Sequence, residues 1–483
     1  MSNESGHDAV VEPEITPERA AVRAGADRWL QELMDWVRIP SVSADPAHHG
    51  DVRASAEFLA AKLRAVGFPT VQIWDETAAL PAVYAHWPSG DPDAVRVTVY
   101  GHHDVQPADG EERWTYPPFE PTVVGDLLFG RGASDDKGNI FMHLLGVQAH
   151  LAATGRTAPA VDLTLFVEGE EESGSPHISE LLTAHRAELD ADVVVVSDTG
   201  IFNVDTPSVC VGMRGLVAGE LRVHGPDVDL HSGSFGGAVP NPITELSRML
   251  AALHDENRRI AVPGFYEGVI DPTPEERAAT AALPFDEEGW ITTSAASRAA
   301  VGEAGWSTLE RVGVRPTAEI NGIWGGYTGP GGKTIVPTDA TAKLSFRLVG
   351  KQDPEHIRRV VAEFFQGMAF DGLTVEMVWE AGGVKPMHVS TSHPATIAAR
   401  DALGRAFDTD TVLLTREGGS GPEAELAEAM DAPLVFLGVM TDDDQIHAPN
   451  ERASVPLLYR GCEAVAHLWT GLAAIGRGRL DEG

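Results

Sequence analysis

Five short stretches of this sequence carry the residue types that hold divalent cations. A strand-like run from Val95 to Tyr100 delivers Gly101-His102-His103-Asp104 at its end. Asp135 and Asp136 stand just before a helical pattern. A β-branched run from Val161 to Val167 breaks into Glu168-Gly169-Glu170-Glu171-Glu172, and Val193 to Val196 ends in Ser197-Asp198. His447 lies in a late loop, Gln445 to Glu451. Gathering acids at strand ends is repulsive, and a fold accepts it most readily where cations neutralise the charge or where one acid must hold a proton. His102 and Asp104, two apart in an extended segment, face one way, and a carboxylate beside a histidine fixes which ring nitrogen meets a metal. Two histidines, His102 and His447, with carboxylates drawn from Asp135, Glu171, Glu172 and Asp198 suit a pair of divalent ions with one bridging acid. His103 is read as a buried histidine without a role in the site.

These residues must be brought together by the elements that carry them. The short apolar runs alternate with helical patterns, which gives an α/β fold with a mainly parallel sheet flanked by helices, and active groups gather at the carboxyl ends of such strands. Residues 1–15 read as a frayed tail. Thr16-Pro17-Glu18 is an N-cap, a first-turn proline and an acid that open a helix running to Arg38. A helix over Ala54 to Val66 and strands near Thr70 to Trp74 and Ala82 to Trp87 follow, with later helices over Asn139 to Ala153 and Ile178 to Arg186. Beyond Pro207 the texture changes to alternation in Gly219 to His224, a helix from Pro242 to His254, a strand from Thr334 to Val349, a helix from Pro354 to Gln366 and a strand from Leu373 to Trp379. That pattern marks an α+β insertion with antiparallel strands over residues 209–384, between the two parts of a catalytic domain, 16–208 and 385–483. After Gly382-Gly383 and Pro386 the first rhythm returns, with helices over Pro394 to Phe407, Glu423 to Ala429 and Val455 to Ile475.

Composition narrows the partners. Among 483 residues, 36 Lys+Arg stand against 72 Asp+Glu, a formal charge of −36, which argues against nucleic acid and anionic membrane. Cys210 and Cys462 are too isolated for a disulfide framework or a cysteine-based zinc site. The polar, acidic start shows no signal peptide, and the apolar runs are far too short to span a bilayer, so a cytoplasmic location is expected.

Three other signatures fail on spacing. Gly325 to Thr334 looks like a phosphate-binding loop, but five residues separate Gly326 from Gly332 and a strand pattern follows where a helix is required. Gly418-Gly419-Ser420-Gly421 is not a nucleophile elbow, and no His-Glu-x-x-His helix occurs. What remains is a set of motifs: Tyr100 to Pro107, Gly130 to Gly138, Glu168 to Ser175, Ser197-Asp198, Asp229-Leu230-His231-Ser232-Gly233, Gly325 to Thr334 and His447 to Glu451. The chain thereby resembles the dinuclear zinc peptidases related to carnosinase, cytosolic nonspecific dipeptidase, carboxypeptidase G and aminoacylase, and among them the dipeptidase branch.

The resemblance implies that His102 and Asp198 hold one metal, Glu172 and His447 the other, and Asp135 both. It further implies that Glu171 is the general base, Asp104 the partner of His102, and Thr334, Arg347 and Ser420 substrate contacts. His231 is expected to reach the site of a neighbouring subunit in a homodimer built through the inserted lid and dimerisation domain. Glu170 adds a third consecutive acid, which leaves the register of the base open by one residue. Arg347 offers a planar fork suited to a free substrate carboxylate. The expected reaction is hydrolysis of dipeptides by a metal-activated water. N-acyl amino acid deacylation on the same architecture is the alternative, and a silent metal-binding or scaffold protein is a third reading, disfavoured because the five inferred ligands and the base are all present. Zinc is the default metal, with manganese or cobalt also compatible with a carboxylate-rich site.

Overall fold

The computed structural model describes residues 15–480, apart from Glu76, Asp109, Ala381 and Ser420. Most of the expected N-terminal tail and the expected substrate contact Ser420 therefore lie outside the described residues.

A six-stranded sheet forms the base of the molecule, in the order Thr70–Trp74, Ala82–Trp87, Asp162–Glu168, Arg96–His102, Val193–Val196, Leu434–Phe436. Arg96–His102 runs parallel to both of its neighbours, Leu434–Phe436 runs parallel to Val193–Val196, and only Ala82–Trp87 runs against the rest. The central strands are apolar on both faces because both faces are covered: Val193–Val196 is buried throughout, and so is Arg96–His102 after its first residue. One cluster packs Val97, Val99, Leu163, Leu165 and Val195 against Leu33, Trp36, Ile140, Phe141, Val465 and Trp469 of the helices Pro17–Val37, Lys137–Thr154 and Val455–Ile475. The other face packs Tyr100, Phe166, Val194 and Val196 against Leu181, Leu182, Leu426 and Met430 of the helices Ile178–Ala184 and Glu423–Met430.

A second, wholly antiparallel sheet has the order Thr317–Gly325, Asp339–Leu348, Gly215–His224, Thr374–Trp379. Strand Gly215–His224 alternates buried and half-buried positions along its length, so Val217, Leu221 and Val223 face a separate core closed by Leu246, Met249 and Leu250 of Pro242–Ala251 and by Ile357, Val361 and Phe365 of Pro354–Gln366. Both helices open with a side-chain cap, Asn241 and Asp353, followed by a first-turn proline.

Two elements differ from the sequence expectation. The single strand expected over Thr334 to Val349 is two, Ile335–Val336 and Asp339–Leu348; Pro337, which has no N–H to give to a ladder, stands at the break. Residues 209–213, expected to lie in the insertion, belong to the strand Ser208–Met213, which pairs in parallel with Leu413–Glu417 and packs Val209, Cys210 and Val211 into the cores of the six-stranded sheet. The passage into the antiparallel sheet comes at Arg214, between two strands. Cys210 and Cys462 are both buried free thiols. No helix of the described residues is long and apolar enough to cross a membrane.

Candidate active site

The stretches carrying His102, Glu172 and Asp198 leave three parallel strands of the six-stranded sheet at the same end, and Asp135 stands just before the helix Lys137–Thr154. His102 is the last residue of its strand and fully buried. Its Nε2 lies 3.1 Å from Asp135 Oδ1 and 3.7 Å from Asp198 Oδ2. His447, in the half-exposed loop after Leu434–Phe436, places Nε2 3.0 Å from Asp135 Oδ2 and 3.2 Å from Glu172 Oε2. Two ligand groups result, His102-Asp135-Asp198 and Asp135-Glu172-His447, the atoms of each lying within 4.8 Å of one another. Asp135 is common to both and offers one oxygen to each.

Five residues that sequence reasoning nominated as ligands are thus brought together, and their spacing fits metal ions. Ligand atoms about 2.0–2.2 Å from a tetrahedral ion stand about 3.3 Å apart, which the 3.0–3.7 Å edges match. The electrostatics fit as well. Burial, with the nearby charges of Asp135 and Glu172, pushes Asp198 up to about 7 against the opposing pull of His102. Hydrogen bonds donated to the Asp135 and Glu172 carboxylates raise His447 to about 10. Burial would raise Asp135, yet the hydrogen bonds and charges of His102 and His447 hold it far below the carboxylate range. The site gathers more carboxylates than its two histidines can neutralise, a charge balance that divalent cations would complete.

Asp104 is fully buried and turns two ways. The ring Nδ1 of His102 stands 3.1 Å from the Asp104 carbonyl and 3.5 Å from its carboxylate. The same carboxylate accepts Glu171 N at 3.2 Å and Glu172 N at 3.0 Å, capping the single turn Glu171–Ser173. That cap distributes the three consecutive acids. Glu172 turns to the His447 group and takes a hydrogen bond from Gln106 Nε2 at 2.7 Å. Both oxygens of Glu170 are engaged by His177 Nδ1, at 3.1 and 3.0 Å. Glu171 joins neither ligand group, and its carboxyl is held well above the usual range by burial and by the charges of Asp198, Glu172 and Asp135. His103 hydrogen-bonds the Pro81 carbonyl at 2.8 Å, and burial lowers it to about 4, which leaves a neutral histidine inside the fold.

The remaining nominees lie elsewhere. His231 is exposed at the start of the short helix Ser232–Phe235, where its Nδ1 accepts Gly233 N at 3.1 Å. Leu230–His231 pairs with Ile335–Val336, and Ser232 N donates to the Thr334 carbonyl at 3.0 Å, so His231 and Thr334 share one exposed segment. No recorded contact among the described residues joins either of them to the metal-ligand groups of the same chain. Arg347 is half-buried on Asp339–Leu348, on the face opposite the core residues Leu344, Phe346 and Leu348. Residues 98–471 match the family model of peptidase family M20/M25/M40.

The chain belongs to peptidase family M20/M25/M40. Within it, the Cys-Gly metallodipeptidase DUG1 of Candida albicans is 29% identical over 460 residues, covering 91% of this chain and 93% of that one. The human Beta-Ala-His dipeptidase is 28% identical over 448 residues, covering 88% and 86%. Among solved structures, the M20 family metallo-carboxypeptidase Sso-CP2 from Sulfolobus solfataricus superposes with a TM-score of 0.80 at 27% identity, covering 93% of this chain and 100% of that one.

Several residues of this M20 site were not assigned from sequence. Gln106 holds Glu172. Asp136, fully buried, accepts His102 N at 3.3 Å. Glu451 and Arg131, 320 positions apart, form a buried ion pair at 2.7 Å. Each lies inside a motif that sequence reasoning had marked, but pairing across that distance leaves no local periodicity to read.

Proposed function

We propose that this M20 peptidase is a dinuclear dipeptidase, in which His102 and Asp198 hold one divalent ion, Glu172 and His447 the other, and Asp135 both. The observation that carries this reading is the division of Asp135, one oxygen facing each group at 3.1 and 3.0 Å. Zinc is the default ion for this donor set, and manganese or cobalt also suits it. When bound, the ions supply Lewis acidity to the scissile carbonyl and lower the pKa of the attacking water. Glu171 stands beside the ligands without being one, and its raised affinity for a proton lets a carboxylate oxygen take the proton of the water and return it to the leaving amine. Arg347 pairs with the free carboxylate of the substrate, and Ser420 and Thr334 contact the substrate. The names of the relatives, two dipeptidases and a carboxypeptidase, agree with a substrate that ends in a free carboxylate.

His231 and Thr334 act in the neighbouring subunit of a homodimer, and His231 stabilises the oxyanion there. Two observations favour the dimer. Both residues are exposed on a segment away from their own metal-ligand groups, and the edge strand Thr317–Gly325 leaves Ile320, Ile323 and Trp324 exposed, a surface that asks for cover. Within the expected 209–384, residues 214–384 are then the lid and dimerisation domain; residues 16–208 and 385–483, with 209–213 packed onto them, are the catalytic domain, and two reduced buried thiols suit a cytoplasmic enzyme. Amine release from a dipeptide panel, compared with N-acetyl and N-succinyl amino acids and with chelator-treated enzyme, tests the reading. Faster cleavage of the N-acyl compounds would establish a deacylase instead, and chelator-resistant turnover would remove the metals from the mechanism.

A further inference from the structure

Glu451 is completely buried, and donors of one loop surround its carboxylate. Arg131 Nη1 reaches Oε2 at 2.7 Å, and Gly132 N lies 3.0 Å from both oxygens. Ser134 N and Asp135 N each donate to Oε1 at 3.1 Å. The Glu451 carbonyl in turn accepts Gly130 N at 3.0 Å. A single acid thus organises residues 130–135, and that loop ends on Asp135, which faces both ligand groups. The segment that carries Glu451 also carries His447, held in the left-handed region with φ +60°. A second tie joins the same two stretches, from Ser134 Oγ to Asp444 Oδ2 at 2.6 Å.

The chemistry of this arrangement is specific to a carboxylate. Oε2 faces a guanidinium while Oε1 faces backbone N–H groups, so both oxygens must accept. An amide has one acceptor and one donor, and whichever way it turns, its NH₂ meets another donor. We propose that Glu451 is the positioning residue of the metal centre: it gathers the N–H groups of the Asp135 loop onto the segment of His447 and so fixes the Asp135 carboxylate between the two ligand groups. Arg131 neutralises it and completes the clamp.

This inference rests on the two-ion reading, and titration calorimetry of the full-length, metal-stripped protein with Zn²⁺ separates the two. If the unmutated protein binds fewer than two ions, the two-ion reading fails and the inference with it. If it binds two, Glu451→Gln should weaken both binding steps together by about 10–100-fold, the effect typical of groups that orient metal ligands, because the displaced residue is common to both groups. Excess metal should restore much of the lost turnover. Val465→Ala, a cavity change in the helix Val455–Ile475, controls for general destabilisation and should leave both affinities in place at a matched loss of melting temperature. Arg131→Lys, which keeps the charge but loses the fork, should shift both steps in the same direction by less, and it carries the test if Glu451→Gln does not fold. Unchanged affinities in the variant that folds, or a loss no larger than that of the control, would overturn the proposal.

Discussion

Three consecutive glutamates meet three fates in this fold, and exchanging each for glutamine separates them. Glu171→Gln keeps the shape of the side chain, its buried setting and the backbone N–H donated to Asp104, but removes the oxygen that receives a proton. The loss of a positioned general base costs about 10²–10⁴ in rate, or about 3–5 kcal/mol at 1.36 kcal/mol per decade. Both ions should stay bound at unmutated stoichiometry, because Glu171 stands outside both ligand groups. Glu172→Gln should lose the ion shared by Asp135 and His447. Glu170→Gln still presents an acceptor to half-buried His177, so the expected cost is about 1–3 kcal/mol of stability with turnover retained. Metal content by inductively coupled plasma mass spectrometry, beside kcat for one dipeptide, reads all three variants. A metal-replete Glu171→Gln that turns over normally, or a metal-replete Glu170→Gln that does not turn over, would refute the assignment of the base.

Asp135→Asn should lose both ions and all activity together, measured by the same metal analysis; retention of one tight ion would contradict its place in both groups. Arg347→Ala should weaken cleavage of dipeptides with a free carboxylate by about 2–5 kcal/mol if it pairs with a largely buried charge, and equal rates on free and amidated dipeptides in the unmutated enzyme would exclude that pairing. Mixed His231→Ala and Glu171→Gln subunits should regain activity at one of the two sites in each hybrid dimer, staying below half of the unmutated rate; confirmed exchange without recovery would confine His231 to its own chain. Burial raises Glu168 from 4.5 to about 7, so its contribution to stability is present below about pH 4.5 and lost as pH rises through about 7, a change of about 3 kcal/mol from the linkage of pKa to folding. Glu168→Gln mimics the protonated form and should flatten that part of the melting profile between pH 4.5 and 8; parallel profiles for the two proteins would contradict it.

The five nominated residues were legible as candidates because acids and histidines stood after buried strands, before a helix and in a late loop, while their division between two metals came from the family resemblance. Buried runs such as Val193 to Val196 have little choice but a central strand, and the residue after such a strand has few places to go. The parting of Glu170 from Glu171 was not legible, since it depends on Asp104 capping one turn with both oxygens and on His177 being within reach. The break at Pro337 could have been read from the proline alone. The attachment of Ser208–Met213 to Leu413–Glu417 could not, because a parallel partner two hundred residues away leaves no mark on the strand itself. Glu451 shows the same limit from the side of chemistry: its motif was visible, and its partners were not.

The order in which the chain is made gives the sheet a further meaning. Leu434–Phe436 is the last strand of the six-stranded sheet, at its edge beside Val193–Val196, and His447 and the helix Val455–Ile475 follow it. A ribosome that has translated the whole antiparallel segment has therefore built the strands carrying His102, Glu172 and Asp198 without the edge that closes them or the helix that covers them. The helix Lys137–Thr154 waits with the face of Met142, His143 and Gly146 uncovered for Gly461, Trp469 and Val465. Nascent and prematurely terminated chains consequently share an incomplete catalytic centre and an open apolar face, the surface that chaperones and proteases recognise. In the proposed two-ion reading a chain that stops before His447 lacks one ligand, and it lacks the helix Val455–Ile475 that covers the sheet as well.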